Sequence, residues 1–199
     1  MSQAPKYFMY FPGNYRWSAA FVNMLGTAPF GGVDISELHA IGRMLDGKSG
    51  EDDEAWFDAS MKVADTVRGH AEKFRAERHP ASAASFYLRA CHYYQMGERF
   101  RTPKDARALD AYRMSVECFH QFVALSGSKI EIVDVPFEGK KLPGYFVPAH
   151  PPLHPPQTGE EREGGARPVW CSSTVSISPR RSSSCAACPI WFGVAFRYW

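Results

Sequence analysis

The sequence predicts a mainly α-helical domain that continues into a β-hairpin. Two observations lead to this fold class. Apolar residues recur three and four positions apart along most of residues 14–125, which is the periodicity of helices that bury one face. β-Branched residues then crowd the stretch IEIVDV, and the apolar segment LPGYFV follows after a glycine-containing turn. Two such runs on either side of a turn are typical of paired strands.

Residues 14–46 are predicted to form two short helices around a turn. Pro29 and the pair Gly31-Gly32 interrupt the apolar periodicity and mark that turn. Either Asp34 or Ser36 is expected to cap the second helix, because a short polar side chain can accept the unpaired N–H groups of a first turn. The predicted buried residues are Trp17, Phe21, Met24 and Leu25 in the first helix, and Leu38, Ile41 and Leu45 in the second.

Three longer helices are predicted over residues 51–77, 81–97 and about 103–125. The first has acidic residues at its start and basic residues at its end, which suits the helix dipole. Pro80, Pro103 and Gly127 mark the boundaries. Short connections favour an antiparallel arrangement. The predicted core residues are Trp56, Ala59, Val63, Val67 and Ala71, then Ala84, Tyr87, Cys91 and Tyr94, then Tyr112, Val116, Phe119 and Phe122.

The hairpin is predicted from residues 130–135 and 142–147, with residues 137–141 as its turn. Asp134 falls on the face that Ile132 occupies, so we expect a bulge or a strand end near Val133. Residues 148–168 are rich in Pro, Gly and Glu and are expected to form a solvent-exposed loop.

Charge and hydropathy exclude several classes of partner. The formal net charge is +2 and both signs are interspersed, so we expect no nucleic-acid partner. The N-terminal segment lacks the apolar stretch of a signal peptide. No apolar run approaches the roughly 20 residues of a membrane span. We therefore expect a cytoplasmic protein with no membrane partner, and the sequence leaves oligomerisation open.

No cofactor or metal site is expected. The cysteines at 91 and 118 lie in helical segments, where buried free thiols are the usual state. Cys185 and Cys188 have the C-x-x-C spacing, but Pro189 follows where a redox motif needs a helix. The histidines at 150 and 154 are surrounded by prolines, which prevent the helix that would bring them to one metal ion.

The order of the segments resembles a known family. The stretches YFPGNYRWSAAFVNML, APFGGVDISELHAIG and SFYLRACHYYQMGERF resemble a helical cap domain, and IEIVDVPFEGKKLPGYFVPA resembles the first hairpin of an α/β-hydrolase. The similarity covers about residues 8–168. It is to the subgroup of 2,6-dihydroxypseudooxynicotine hydrolase and acyl-peptide esterases. The resemblance implies hydrolysis of a small-molecule ester, amide or ketone by the intact relative.

The composition changes near Trp170. No Asp, Glu or Lys follows Glu163, and the tail is crowded with Ser, Cys and aromatic residues. Serine codons of the TCN type, read one base over, encode Phe, Leu, Ile or Val, so the tail can conceal an apolar strand, a turn and a helix. We therefore expect three regions: a helical cap at 1–127, a hairpin and loop at 128–168, and an out-of-frame tail at 169–199. A natural Ser-rich tail is the alternative.

No catalytic residue is predicted within this chain. An α/β-hydrolase carries its nucleophile in G-x-S-x-G, with the acid and the histidine following, and this motif is absent. We therefore expect an inactive hydrolase remnant. Tyr15, Trp17 and Phe30 are candidate substrate-pocket residues, with core packing as the alternative for this cluster. The competing interpretation of the whole chain is a stand-alone helical protein-interaction module, although no repeat signature recurs.

Overall fold

The computed structural model describes residues 8–148 and the backbone of residues 170 and 171. These residues divide into two units, 8–127 and 128–148 with 170–171. Within them the helical unit holds five α-helices and a short 3₁₀ helix, and the second unit holds an antiparallel sheet. The helices are α1 (Tyr15–Leu25), the 3₁₀ helix (Ala28–Phe30), α2 (Ile35–Met44), α3 (Asp53–Ala76), α4 (Pro80–Glu98) and α5 (Ala106–Leu125). The strands are β1 (Glu131–Phe137), β2 (Lys140–Phe146) and β3 (Trp170–Cys171).

Side-chain caps begin α1, α2 and α3. The side chain of Asn14 accepts from the Trp17 N–H, Asp34 accepts from the Ser36 N–H, and Asp52 accepts from the Ala55 N–H. Each cap satisfies one of the N–H groups that a first turn leaves without a helical partner. Of the two residues predicted as candidates for the α2 cap, Asp34 is the one that caps the helix.

The predicted buried faces of α1 to α4 are largely confirmed. In α1, Met24 and Leu25 are only half-buried. The other predicted residues of α1 and α2, and all of those of α3 and α4, are buried. The indole N–H of Trp56 donates to the Met96 carbonyl oxygen at 2.7 Å, which joins α3 to α4 inside the core.

The predicted face of α5 is partly wrong. Phe119 is buried, but Tyr112, Val116 and Phe122 are only half-buried. The buried residues of α5 are Ala108, Ala111, Ser115, Cys118 and Phe119. This face is rotated by about one residue because small side chains point at α4 and let the two helices approach, which leaves the larger side chains at the edges of the contact.

The hairpin has a continuous register from Glu131 opposite Phe146 to Phe137 opposite Lys140. The expected bulge or strand end at Val133 is therefore wrong. The alternation of apolar and polar residues along β1 is imperfect because Ile132 lies on the same exposed face as Asp134. The turn is shorter than expected, since Phe137 and the lysines at 140 and 141 belong to the strands and only two residues connect them.

The third strand adds a short antiparallel contact, with Tyr145 opposite Cys171 and Phe146 opposite Trp170. The expected solvent loop and the predicted out-of-frame tail fall mainly on residues 149–169 and 172–199, which lie outside the described residues. Among the described helices, none is long and apolar enough to cross a membrane.

Candidate functional site

The three candidate pocket residues occupy different environments. Trp17 is 1% exposed, and its ring lies 5.6 Å from that of Trp56 and 5.4 Å from that of Phe11. Tyr15 and Phe30 are 67% and 41% exposed. Core packing thus accounts for Trp17, while the other two present aromatic surface to the outside of the helical unit.

Two grooves of the helical unit have the size of a small-molecule site, and neither is lined by these three residues. The first, the α2–α3 groove, has a volume of about 510 Å³. Its lining residues are Glu37, Ala40, Arg43, Met44, Lys62, Val63, Thr66, Val67 and His70. The second, the α2 entry pocket, has a volume of about 900 Å³. Its lining residues are Leu25, Ala28, Pro29, Val33, Asp34, Ile35, Ser36 and His39.

The α2 entry pocket contains the three residue types of a hydrolytic triad, but their hydrogen bonds are wrong for one. The Ser36 hydroxyl donates to the Asp34 carboxylate at 2.5 Å, and Nδ1 of His39 bonds instead to the Tyr10 hydroxyl at 2.5 Å. In a triad the histidine lies between the acid and the hydroxyl and removes the proton from it. Among the described residues Ser36 has no such base, and its N–H and hydroxyl both donate to the Asp34 carboxylate that caps α2.

The α2–α3 groove combines an apolar surface with polar groups. Val63 and Val67 are buried side chains of α3 that form part of its lining. Arg43 and Lys62 line it from α2 and α3, and both are exposed. Neither forms an ion pair with any residue in the described part of the chain. Small-molecule sites combine apolar walls with placed polar groups, and this groove has four apolar and five polar lining residues.

A partly buried polar cluster lies at Glu37 of the α2–α3 groove. Nε of Arg89 lies 3.1 Å from Oε2 of Glu37, and the Tyr93 hydroxyl donates to the same oxygen at 2.9 Å. The backbone N–H of Asp34 donates to the Tyr93 oxygen at 3.0 Å. This cluster ties α2 to α4 through hydrogen bonds and one ion pair.

Burial is the largest influence on the pKa values of Glu37 and Tyr93 in this cluster. It raises the pKa of Glu37, although Arg89 and the Tyr93 hydrogen bond oppose that shift by favouring the carboxylate. Burial and the neighbouring Glu37 also raise the pKa of Tyr93, so its hydroxyl stays protonated and remains a donor. His70 adds a smaller favourable interaction with the Glu37 carboxylate.

The other polar clusters of the helical unit are structural. Arg101 and Arg107 both pair with Glu54, and they also pair with Asp105 and Asp58. This exposed network links the start of α3 to the start of α5. Within the described ranges, no group of three or more His, Cys, Asp or Glu side chains could hold a metal ion.

The buried thiols are not nucleophiles. Cys91 and Cys118 are free and buried, as predicted. Burial raises the pKa of each thiol to about 12, so the reactive thiolate is scarce at neutral pH.

Comparison with known proteins finds hydrolase relatives. The chain matches no protein-family model. It is 33% identical over 134 residues to the 20-hydroxy-prefusarin hydrolase FUS2 of Gibberella moniliformis, covering 65% of this chain and 31% of that protein. It is 26% identical over 172 residues to the α/β-hydrolase ucsC of an Acremonium species, covering 82% of this chain and 34% of that protein. The chain is a partial relative of the α/β-hydrolases.

The α/β-hydrolase resemblance predicted from the sequence is thus confirmed. The chain is also 31% identical over 144 residues to the hydrolase LUC6 of a Fusarium species, covering 70% of this chain and 33% of that protein. It spans about a third of the length of these curated relatives.

A solved structure supports the same fold. The crystal structure of 2,6-dihydroxy-pseudo-oxynicotine hydrolase matches with a TM-score of 0.50 and 21% identity, covering 64% of this chain and 34% of that one. The predicted fold class, a helical cap followed by a first hairpin, is confirmed by the architecture and this match.

Sequence reasoning missed the α2–α3 groove and its polar cluster. The spacing Asp34-x-x-Glu37 is that of a capping box, which predicts that Glu37 turns back to its own helix start. The carboxylate instead contacts Arg89 and Tyr93 of α4. Partners more than 50 positions away leave no local signal in the sequence.

Proposed function

We propose that this chain is the helical cap and first hairpin of an α/β-hydrolase that acts on a small-molecule ester, amide or ketone. The observation that carries the proposal is the joint match of sequence and architecture: a hydrolase relative is 33% identical over 134 residues, and a five-helix unit precedes the hairpin. In this proposal the exposed rings of Tyr15 and Phe30 contribute to the substrate side of the helical domain.

We also propose that these 199 residues do not catalyse hydrolysis by themselves. They contain no G-x-S-x-G, and Ser36 lacks a histidine base in the α2 entry pocket. Without an activated nucleophile, no acyl-enzyme can form. The purified chain is expected to hydrolyse p-nitrophenyl acetate no faster than the buffer does. Saturable hydrolysis that a serine-directed phosphonate abolishes would contradict this.

We further propose that the segment after residue 169 is read out of frame. The loss of Asp, Glu and Lys after Glu163 and the serine-rich composition support it. Sequencing the coding DNA tests it directly: the alternative frame beyond the Trp170 codon is expected to encode G-x-S-x-G and then Asp and His. Stop codons in that frame within a few tens of triplets would refute the out-of-frame assignment and leave the family relationship intact.

A further inference from the structure

The α2–α3 groove has the size and lining of a ligand site. Its volume of about 510 Å³ lies in the range of small-molecule pockets, roughly 300–1,000 Å³. On one side the lining residues Ala40 and Met44 follow each other by one turn of α2. On the other side Val63 and Val67 do the same on α3. Apolar side chains of both helices therefore line the groove.

Positive charges outnumber negative ones among the residues that line the groove. Arg43 and Lys62 both line it, and neither is neutralised by an ion pair with a described residue. The carboxylate that also lines it, Glu37, is already paired with Arg89 and accepts the Tyr93 hydroxyl. Its negative charge is compensated from α4, so the lining residues carry a net positive charge.

We propose that the α2–α3 groove binds a small amphipathic carboxylate, with its apolar body against Val63, Val67 and Met44 and its carboxylate at Arg43 and Lys62. A guanidinium matches the two oxygens of a carboxylate in a planar, bidentate contact. The neighbouring ammonium adds charge without a directional requirement. Burial of the apolar body contributes about 25 cal/mol per Å² of area removed from water. This proposal is independent of the proposed hydrolase function.

The experiment compares eight-carbon ligands that differ only in the head group. Octanoate, octanol and octylammonium are titrated by isothermal titration calorimetry into the full chain, fused to maltose-binding protein to keep it soluble, with the fusion partner alone as the blank. Octanoate is expected to bind saturably and at least tenfold more tightly than octanol, with no saturable binding of octylammonium. Failure of octanoate to saturate, or equal affinity for octanol, would overturn the proposal.

Substitutions test whether octanoate binds at the α2–α3 groove. The double variant Arg43→Gln/Lys62→Gln removes both cations from exposed positions and is expected to weaken octanoate binding at least tenfold, to the affinity for octanol. The matched control is Arg75→Gln/Arg99→Gln, which removes two exposed cations outside the groove lining and is expected to leave the affinity unchanged. Equal effects of the double variant and the control would show non-specific charge attraction and overturn the site.

A second measurement keeps the test valid if the double variant folds poorly. In methyl NMR spectra of the unmodified sequence in the same fusion, octanoate is expected to shift the signals of Met44, Val63 and Val67. The signal of Leu109, an exposed residue of α5 outside the groove lining, is expected to stay fixed. A shift at Leu109 without shifts at the groove methyls would place the ligand elsewhere and refute the proposal.

Discussion

Gly97 lies where α4 packs against α3, and its lack of a side chain sets how close the two helices come. A Cβ placed at this position would lie 2.4 Å from Cε of Met61 and 3.0 Å from Cβ of Ser60. The Met61 methyl can move, but Ser60 is held by its own helix. Gly97→Ala is expected to lower the free energy of unfolding by about 1–2 kcal/mol, since overpacking outweighs the gain in helix propensity.

The matched control is Gly69→Ala in α3. A Cβ there meets nothing within 4 Å, so only the propensity gain of up to about 1 kcal/mol applies. Thermal melts of both variants are expected to shift in opposite directions from the wild type. Stabilisation by both substitutions would show that α3 and α4 are less closely packed than the structure indicates.

His92 makes stability depend on pH. Its side chain is 3% exposed, its Nδ1 donates to the Leu88 carbonyl oxygen at 2.9 Å, and its Nε2 has no hydrogen-bond partner in the described residues. Burial lowers the pKa of His92 below its ordinary 6.5. The unfolded chain therefore takes up a proton near pH 6.5 while the folded chain does not, so stability is lost as pH falls below about 6.5.

The pH dependence is measured by thermal melts of wild type and His92→Gln between pH 7.5 and 5.5. The wild type is expected to lose more stability than the variant over this interval. The raised pKa of Glu37 contributes in the opposite sense, because its carboxylate is disfavoured in the folded state as pH rises. The difference between the two proteins isolates His92, and identical slopes would contradict the assignment.

At the scale of the element, the two-residue turn determines how β1 and β2 pair. Glu138 and Gly139 have φ values of 47° and 75°. Positive φ at both central positions is typical of a type I′ turn, whose twist matches that of paired strands. Glycine adopts this conformation at no steric cost, whereas glutamate does so with strain. Asn-Gly is the sequence that favours this turn most.

Substitutions at the turn are expected to act in opposite directions. Glu138→Asn should slow hydrogen exchange of the β1 and β2 amides by a few-fold, because asparagine tolerates the left-handed region. Gly139→Val should speed exchange of the same amides, because a β-branched side chain clashes there. Exchange is read by mass spectrometry, with α3 peptides as the internal reference. Equal exchange in both variants would show that the turn does not limit the hairpin.

The helices were more predictable than the hairpin details because helix periodicity and caps are local. The stripe of α3 follows from spacing alone, and spacing narrows the α2 cap to Asp34 or Ser36, of which the structure has Asp34. The predicted face of α5 is wrong in part because large side chains such as Tyr112 dominate the helical pattern, whereas the contact with α4 selects small ones such as Ala111. The Glu37–Arg89–Tyr93 cluster depends on how α2 meets α4, which no local pattern encodes.

At the scale of the whole molecule, the hairpin unit exposes large apolar side chains on its strands. Ile132 and Phe137 of β1 are 49% and 56% exposed, and Leu142 of β2 is 38% exposed. In the described sheet, β1 pairs only with β2 and so has an unpaired edge. An open edge with apolar side chains favours pairing between copies.

We therefore expect the full chain to self-associate and residues 1–127 alone to remain monomeric with a cooperative melt, because the core from Trp17 to Phe119 lies within that segment. Size-exclusion chromatography with light scattering on both proteins, followed by thermal melts, tests this. The substitution Ile132→Lys in the full chain should reduce association, since a charge on an exposed edge strand opposes pairing. A stand-alone interaction module predicts the reverse: the full chain would be monodisperse and would melt sharply at every concentration, and Ile132→Lys would leave its elution unchanged.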